Sequence, residues 1–317
     1  MSRQVIRHSR QPLFNGAMTM PRKFRLLAAA AIAFGLAQPT LAQAKPDLDP
    51  AMWVVKDADT TIYLFGTVHA LDGKGDWFND EVKTAFDDSN ELVLEIITPE
   101  DPAAVAPLLQ KYAIDTSGKT LTSKLSPKHQ AMFAEKLKAI GMPAGALDRF
   151  RPFFAAMTLT VLDMQMLGIN PESGVEKALT KAAKVRNISL GEVETMEKQM
   201  AMLGALEEKE QIRLLEKTLE ESAEAKETLG KLMAAWGKGD ANTVADLLNQ
   251  TNIDSPALYK LLISDRNKAW AEWIDTRLDK PGKVFMAVGA GHLAGPDSVQ
   301  RFLKDKGIAS SRVPAAN

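Results

Sequence analysis

Apolar residues enter this chain as short β-type runs, give way to long helical stripes, and return as a β-type run near the end. Met52-Trp53-Val54-Val55 and Ile62-Tyr63-Leu64-Phe65 flank the polar stretch Lys56-Asp57-Ala58-Asp59-Thr60-Thr61. Two β-branched or aromatic arms around a turn-like centre predict a β-hairpin. The loop Leu71-Asp72-Gly73-Lys74-Gly75 follows, then a helix expected through Glu81–Phe86. Glu91-Leu92-Val93-Leu94-Glu95-Ile96 has a continuous apolar centre, as a strand covered on both faces does.

The middle of the chain reads as helix. Pro102 opens one segment, and Ser126-Pro127 opens another that ends near Gly141. Arg151–Leu167 is rich in Met and Leu and is expected to be central. Gly174-Val175-Glu176 starts a helix running to about Lys184, and Asn187–Glu194 reads as a strand. Glu197–Trp236 carries one long stripe (Leu203, Leu206, Leu214, Leu215, Leu219, Leu229, Leu232, Met233), the signature of an amphipathic helix. Gly237-Lys238-Gly239-Asp240 interrupts it, and helices are expected over Ala241–Gln250 and Pro256–Leu278. Lys283–Val288 is a further strand, and Pro296–Lys306 a closing helix with proline at its start and Gly307 at its end. The fold class expected is therefore α/β. A central mixed sheet is drawn from N- and C-terminal strands, with a helical insertion over roughly residues 100–280 as a cap on a 45–317 domain.

Upstream of Lys45 the pattern differs. Pro21-Arg22-Lys23-Phe24-Arg25 is basic, Leu26–Ala37 is apolar and alanine-rich, and Leu41-Ala42-Gln43-Ala44 fits a small-residue cleavage site. This reads as a secretory signal peptide cut after Ala44, so the product is expected in the periplasm or outside the cell. Met1, Met18 and Met20 all suit as its start, and Arg22-Lys23 is no twin-arginine pair. Residues 1–44 hold six basic residues and no acidic one, so cleavage takes 39 basic residues to 33 against 40 acidic, a net charge of −7. An acidic mature chain argues against nucleic acid as a partner. No later apolar run is long enough to span a bilayer. With no cysteine there are no disulfides, thiolate nucleophiles or cysteine-ligated metals.

The chemistry concentrates on histidine. Of the four, His8 precedes the signal segment and His129 lies in the first turn of a helix, where a surface place is expected. The remaining two share a motif: Gly66-Thr67-Val68-His69 ends one apolar strand and Gly289-Ala290-Gly291-His292 ends another. At the usual glycine frequency, two such matches among three histidines arise by chance roughly 1–2% of the time. Ligands of α/β sheets gather at the carboxyl ends of strands, where both histidines fall. Imidazole there serves as metal ligand or general base. A catalytic metal needs a third protein ligand, and Glu95 is the candidate, a charge closing the apolar run Leu92-Val93-Leu94. Glu194 closes Leu190-Gly191-Glu192-Val193 in the same way, whereas Glu91 and Glu192 are expected to face solvent. Arg266-Asn267 interrupts Leu261-Leu262-Ile263 and Trp270, placing a fork able to hold a ligand carboxylate or a substrate carboxylate. There is no Gly-x-Ser-x-Gly, His-Glu-x-x-His or P-loop.

These motifs together resemble the TraB/GumN family. The resemblance runs through the strand pair ending in Gly66–His69, the strand ending in Glu95, and Gly174-Val175-Glu176. It continues through Val193-Glu194-Thr195 with Glu197 and Gln199, then Arg266-Asn267 with Trp270, then Gly289–Leu293. It covers essentially the whole mature chain. Glu176 stands where the family has Asp and Val193 where it has Leu, which weakens any role assigned to Glu176. The resemblance implies a fold shared with Tiki, erythromycin-esterase-like and haem-binding ChaN-like proteins. Tiki proteins, which share the paired motifs, are metal-dependent proteases acting on peptide N-termini. Other relatives are linked to peptide-pheromone shutdown or to exopolysaccharide gene clusters.

The expectation is thus a periplasmic metal-dependent hydrolase, a peptidase acting on peptide substrates. His69, His292 and Glu95 would bind a divalent ion (Mn, Co, Zn or Fe), Glu194 would act as base or support, and Arg266 would position a carboxylate. The alternatives are a non-catalytic binder of peptide, metal or haem in the same cleft, a GumN-type exopolysaccharide accessory protein, and a structural domain whose histidines never meet.

Overall fold

The computed structural model describes residues 45–316 apart from Glu100 and Asp254. The predicted signal segment, with its cut after Ala44, lies outside them.

Six strands form one mixed sheet: β1 (Met52–Lys56), β2 (Thr60–Thr67), β3 (Glu91–Leu94), β4 (Ser189–Glu192), β5 (Gly282–Gly289) and β6 (Ser310–Arg312), in the order β4-β3-β5-β2-β1-β6. β4, β3, β5 and β2 run parallel, so their carboxyl ends share one edge. The predicted hairpin is present, with β1 antiparallel to β2 from Met52↔Phe65 to Lys56↔Thr61. β6 was not expected. Its Ser-Ser-Arg sequence has no apolar alternation, and it pairs only with β1 at the sheet's edge, where polar side chains discourage further pairing.

Alternation along the strands sorts the side chains between two faces. Phe65, Leu92, Leu94, Phe285 and Ala287 join Phe86, Leu179 and Trp236 in one core. Ile62, Leu64, Val93, Val284, Met286 and Val288 join Trp270, Ile274, Val299 and Leu303 in the other. The sheet is therefore a layer between helices on both sides, which explains the unbroken apolar runs of β3 and β5. Each face is closed at about 25 cal/mol per Å² of apolar surface removed from water.

A third core lies among helices alone, where Leu121, Phe133 and Leu137 meet Ala155, Leu159, Leu215 and Leu219. Here the chain departs from its predicted pattern. The expected single helix over Glu197–Trp236 is three, Met196–Gly204, Glu208–Glu221 and Ala225–Gly237. Its stripe is continuous in sequence, but Glu207 is extended (ψ 142°), and the pieces turn to cover different neighbours. Pro152–Met166 buries Phe153, Ala155, Ala156 and Leu159 but leaves Met157, Val161 and Met166 exposed, so it is half-covered rather than central. His129 is largely covered, its ring between Glu216 (2.9 Å) and Glu220 (3.1 Å) of the neighbouring helix. Glu91 is partly buried against Arg277 (2.8 Å) instead of facing solvent. The closing helix begins at Val299, where Ser298 caps it by accepting from the Arg301 N–H, so Pro296 stays in the preceding loop.

Candidate functional site at the carboxyl edge of the sheet

The two Gly-x-x-His motifs are neighbours. β2 and β5 are adjacent and parallel, with Gly66 opposite Val288 and Thr67 opposite Gly289. A Cβ on Gly66 would stand 3.1 Å from the Ala290 side chain, so a larger residue in the first motif would press on the second. Trp236 Nε1 donates to the Gly66 carbonyl at 2.8 Å and fixes the end of β2, its ring in the same core as Ala290. Beyond the strands the motifs diverge. β2 runs on to His69, whose side chain is 71% exposed, while β5 tightens into a 3-10 turn over Ala290–His292 that leaves His292 only 6% exposed.

His69 is held by Glu176. Its Nδ1 lies 2.7 Å from Glu176 Oε1, which also accepts from Thr67 Oγ1 at 2.6 Å. Glu176 is in the first turn of the helix Val175–Arg186, whose Val175 N–H donates to the Val68 carbonyl at 3.3 Å. Gly174 makes that approach possible, because any Cβ there would run into the His69 carbonyl oxygen. With Nδ1 engaged from behind, Nε2 is left towards solvent.

The other predicted residues form one buried network. The β3–β4 ladder continues past the strands, with Glu194 N–H donating to the Glu95 carbonyl at 3.0 Å, so the two carboxylates stand side by side. Arg266, near the start of the helix Asp265–Leu278, enters between them. Its Nη2 pairs with Glu95 Oε1 and with Glu194 Oε2 (2.9 Å), and its Nε donates to both Glu194 oxygens (3.0 and 3.2 Å). Its Nη1 donates to the Leu262 carbonyl (3.2 Å) and to His292 Nε2 (3.2 Å). Gln199 Nε2 donates to Glu95 (2.8 Å) and Glu194 (3.1 Å), and Trp270 Nε1 donates to Glu194 at 3.2 Å. His292 Nδ1 donates to Asn267 Oδ1 at 2.6 Å, and Asn267 Nδ2 is fixed by the carbonyls of Asp297 (2.6 Å) and His292 (3.3 Å).

These surroundings give the two histidines different charge states. The Glu176 carboxylate pushes His69 up to about 9, against partial desolvation of the ring and helped by Glu95. Water around a ring this open screens part of that pull. His292 is pushed down to about 3, first by its removal from water, with Arg266 and His69 adding repulsion. Burial would raise Glu95, but Arg266, with His292 and His69, holds it down at about 2. At neutral pH the site therefore presents an imidazolium, a neutral imidazole and an ionised carboxylate.

The model of the TraB/PrgY/gumN family matches residues 51–312, which include every residue of this network. The chain belongs to the TraB/PrgY/gumN family. It is 32% identical to the uncharacterized protein YbaP of Escherichia coli over 47% of this chain and 54% of that one, so the match spans about half of that relative's length. An uncharacterized protein of Treponema pallidum is 24% identical over 80% of each chain. Metalloprotease TIKI2 of Xenopus tropicalis is 24% identical over 87% of this chain and 62% of its own. No solved structure matches.

Against this family background the donor set can be tested for a metal ion. One ion shared by His69, His292 and Glu95 needs three lone pairs turned to a single point. Here His292 Nε2 receives an Arg266 N–H and Glu95 Oε1 is taken by Arg266 and Gln199, while His69 is bonded to Glu176 through Nδ1 alone. Among the described residues no group of three His, Asp or Glu is placed to hold a metal ion. As arranged, the set does not fit such an ion, because the guanidinium already takes up the His292 Nε2 lone pair and Glu95 Oε1. The structure thus joins Glu95, Glu194, Arg266 and His292, and sets His69 apart with Glu176. The carboxylates on the Arg266 fork are the protein's own. Glu176, to which the sequence lent little weight, is the residue that orients His69. Gln199, Asn267 and Trp270 complete the network. Trp270 follows Arg266 by one helical turn, and that spacing was its signal, with the guanidinium carbon 4.9 Å from the indole centre.

Proposed function

We infer that this chain is a hydrolase cleaving a carbonyl-centred bond, with a peptide as substrate, at the carboxyl edge of the sheet. The observation that carries this is the His69–Glu176 pair. A histidine oriented through Nδ1 by a carboxylate, with its ring largely exposed, is built to pass a proton to a substrate atom. The name of the frog relative, a metalloprotease, supports the peptide class.

The residues assign themselves from their charges. His69, protonated at rest, donates from Nε2 to the leaving amine. Glu95, ionised, has on Oε2 only a 3.3 Å hydrogen bond from the Gly289 N–H, and this leaves it free to accept from water. As the water oxygen bonds to the carbonyl carbon, its proton passes to Glu95. The carbon–nitrogen bond then breaks as His69 delivers its own proton, and the proton on Glu95 returns to His69. Glu176 holds His69 in place, and Arg266 keeps Glu95 ionised.

The test incubates the purified protein with a peptide library and reads products by mass spectrometry, beside His69→Ala. Defined cleavage by the wild type and a loss of roughly 10²-fold or more in the variant are expected, the usual size of a lost acid–base group. Equal product in both, or none in either with the fold intact, would remove this reading.

A further inference from the structure

We propose that Arg266 is a resident cation standing where a divalent ion would stand, so that the guanidinium and a metal exclude one another at Glu95, Glu194 and His292. This deepens the hydrolase reading, on which its placement in a reacting site rests.

The stoichiometry of the guanidinium comes first. Arginine has five N–H donors. Nε serves Glu194, Nη1 serves the Leu262 carbonyl and His292 Nε2, and Nη2 serves Glu95 and Glu194. None is left for a substrate carboxylate or an oxyanion, so Arg266 is not a substrate clamp.

The charge comes second. Glu194 has 1% of its side chain exposed and Glu95 13%, and two carboxylates so buried and adjacent need a cation between them. The third donor is the informative one. An ion pair that served stability alone has no use for an imidazole lone pair, yet His292 turns Nε2 to the same guanidinium and anchors Nδ1 on Asn267. An imidazole held from behind, with its other nitrogen facing a cation, is arranged as metal-ligating histidines are. Two carboxylates and one imidazole also suit a divalent ion such as Mn²⁺ or Zn²⁺. Arg266 is the cation that touches all three donors, whereas Lys198 Nζ stands 3.8 Å from Glu194 alone, and the three donors must draw together once the guanidinium is gone.

Removing that side chain should convert the cluster. Wild type, Arg266→Met and Arg266→Met/His292→Ala are stripped with chelator and titrated with Mn²⁺ by calorimetry, and with Co²⁺ by its visible absorption. The wild type should show no stoichiometric ion at this centre. Arg266→Met should bind one ion at least about tenfold more tightly, because the buried carboxylates then have only the more distant Lys198 to offset them. The double variant should lose that ion. An Arg266→Met protein that binds no more tightly than wild type overturns the proposal. So does a wild type that binds one ion per chain and loses it on His292→Ala.

Should Arg266→Met not fold, Glu194→Gln is added to remove one orphaned charge. That pair must bind Mn²⁺ more tightly than Glu194→Gln alone, and equal affinity overturns the proposal. Peptide turnover by the wild type in chelator is scored separately. Its absence would count against the hydrolase reading without touching the cation assignment, which the titrations read directly.

Discussion

At the scale of single residues, one motif has produced two different side chains. His69 and His292 follow the same glycine spacing, yet one is an exposed imidazolium and the other a buried neutral ring. The difference comes from their surroundings, a carboxylate at Nδ1 that favours the charged ring of His69 and removal from water that disfavours it at His292. Glu176→Gln should therefore lower the His69 titration from about 9 towards its ordinary value of 6.5, because an amide no longer favours the charged ring. Proton NMR of the His69 ring follows this directly, and an unmoved midpoint would show that Glu176 does not set the charge. The pairing stabilises the fold fully below 6.5, and that contribution is lost as the pH rises through about 9. Neither cause is visible in the residues adjacent to the histidine in the chain. For this reason the sequence indicated the two histidines and not their different charge states.

At the scale of elements, the strands were more legible than the helices. β2, β3 and β5 are short apolar runs bounded by polar residues and glycine, and each lies within a residue or two of its predicted place. The stripe from Glu197 to Trp236 gave the correct element type and the wrong number. Periodicity reports which face is apolar, and a turn that preserves the face leaves it unbroken. Gly174 shows a constraint that periodicity does not carry at all, since its reason is the carbonyl of His69, more than a hundred residues earlier. Gly174→Ala should cost about 1–3 kcal/mol, the range for overpacking, and should also disturb the Glu176–His69 bond. Gly230→Ala is the control. It lies inside the helix Ala225–Gly237 with nothing within 4 Å of its added Cβ, so helix propensity alone should stabilise the fold by about 0.5–1 kcal/mol. Urea unfolding of the two variants separates these outcomes, and equal stabilities would show that the close approach at Gly174 is unimportant.

At the scale of the whole molecule, topology assembles the site. Four parallel strands from the two ends and the middle of the chain share an edge, which places His69, Glu95, Glu194 and His292 just past β2, β3, β4 and β5. The strand-end charges could be read from the sequence, but the strand order could not, because residues so far apart impose no common pattern. The same assembly couples the site to folding. His292 is neutral in the folded chain down to about 3, whereas an unfolded chain protonates it below 6.5. Between those values the unfolded state binds the extra proton, so stability falls as the pH falls, by up to about 1.4 kcal/mol per pH unit. Glu95 acts in the same direction lower down, its contribution present above 4.5 and lost as the pH falls through about 2. In the window from pH 6.5 to 5 the histidine acts ahead of that carboxylate. Urea midpoints measured across the window should drop in the wild type and change less in His292→Gln, which has no proton to take up. Equal slopes in the two proteins would mean that the buried imidazole is not the group that makes the fold sensitive to acid.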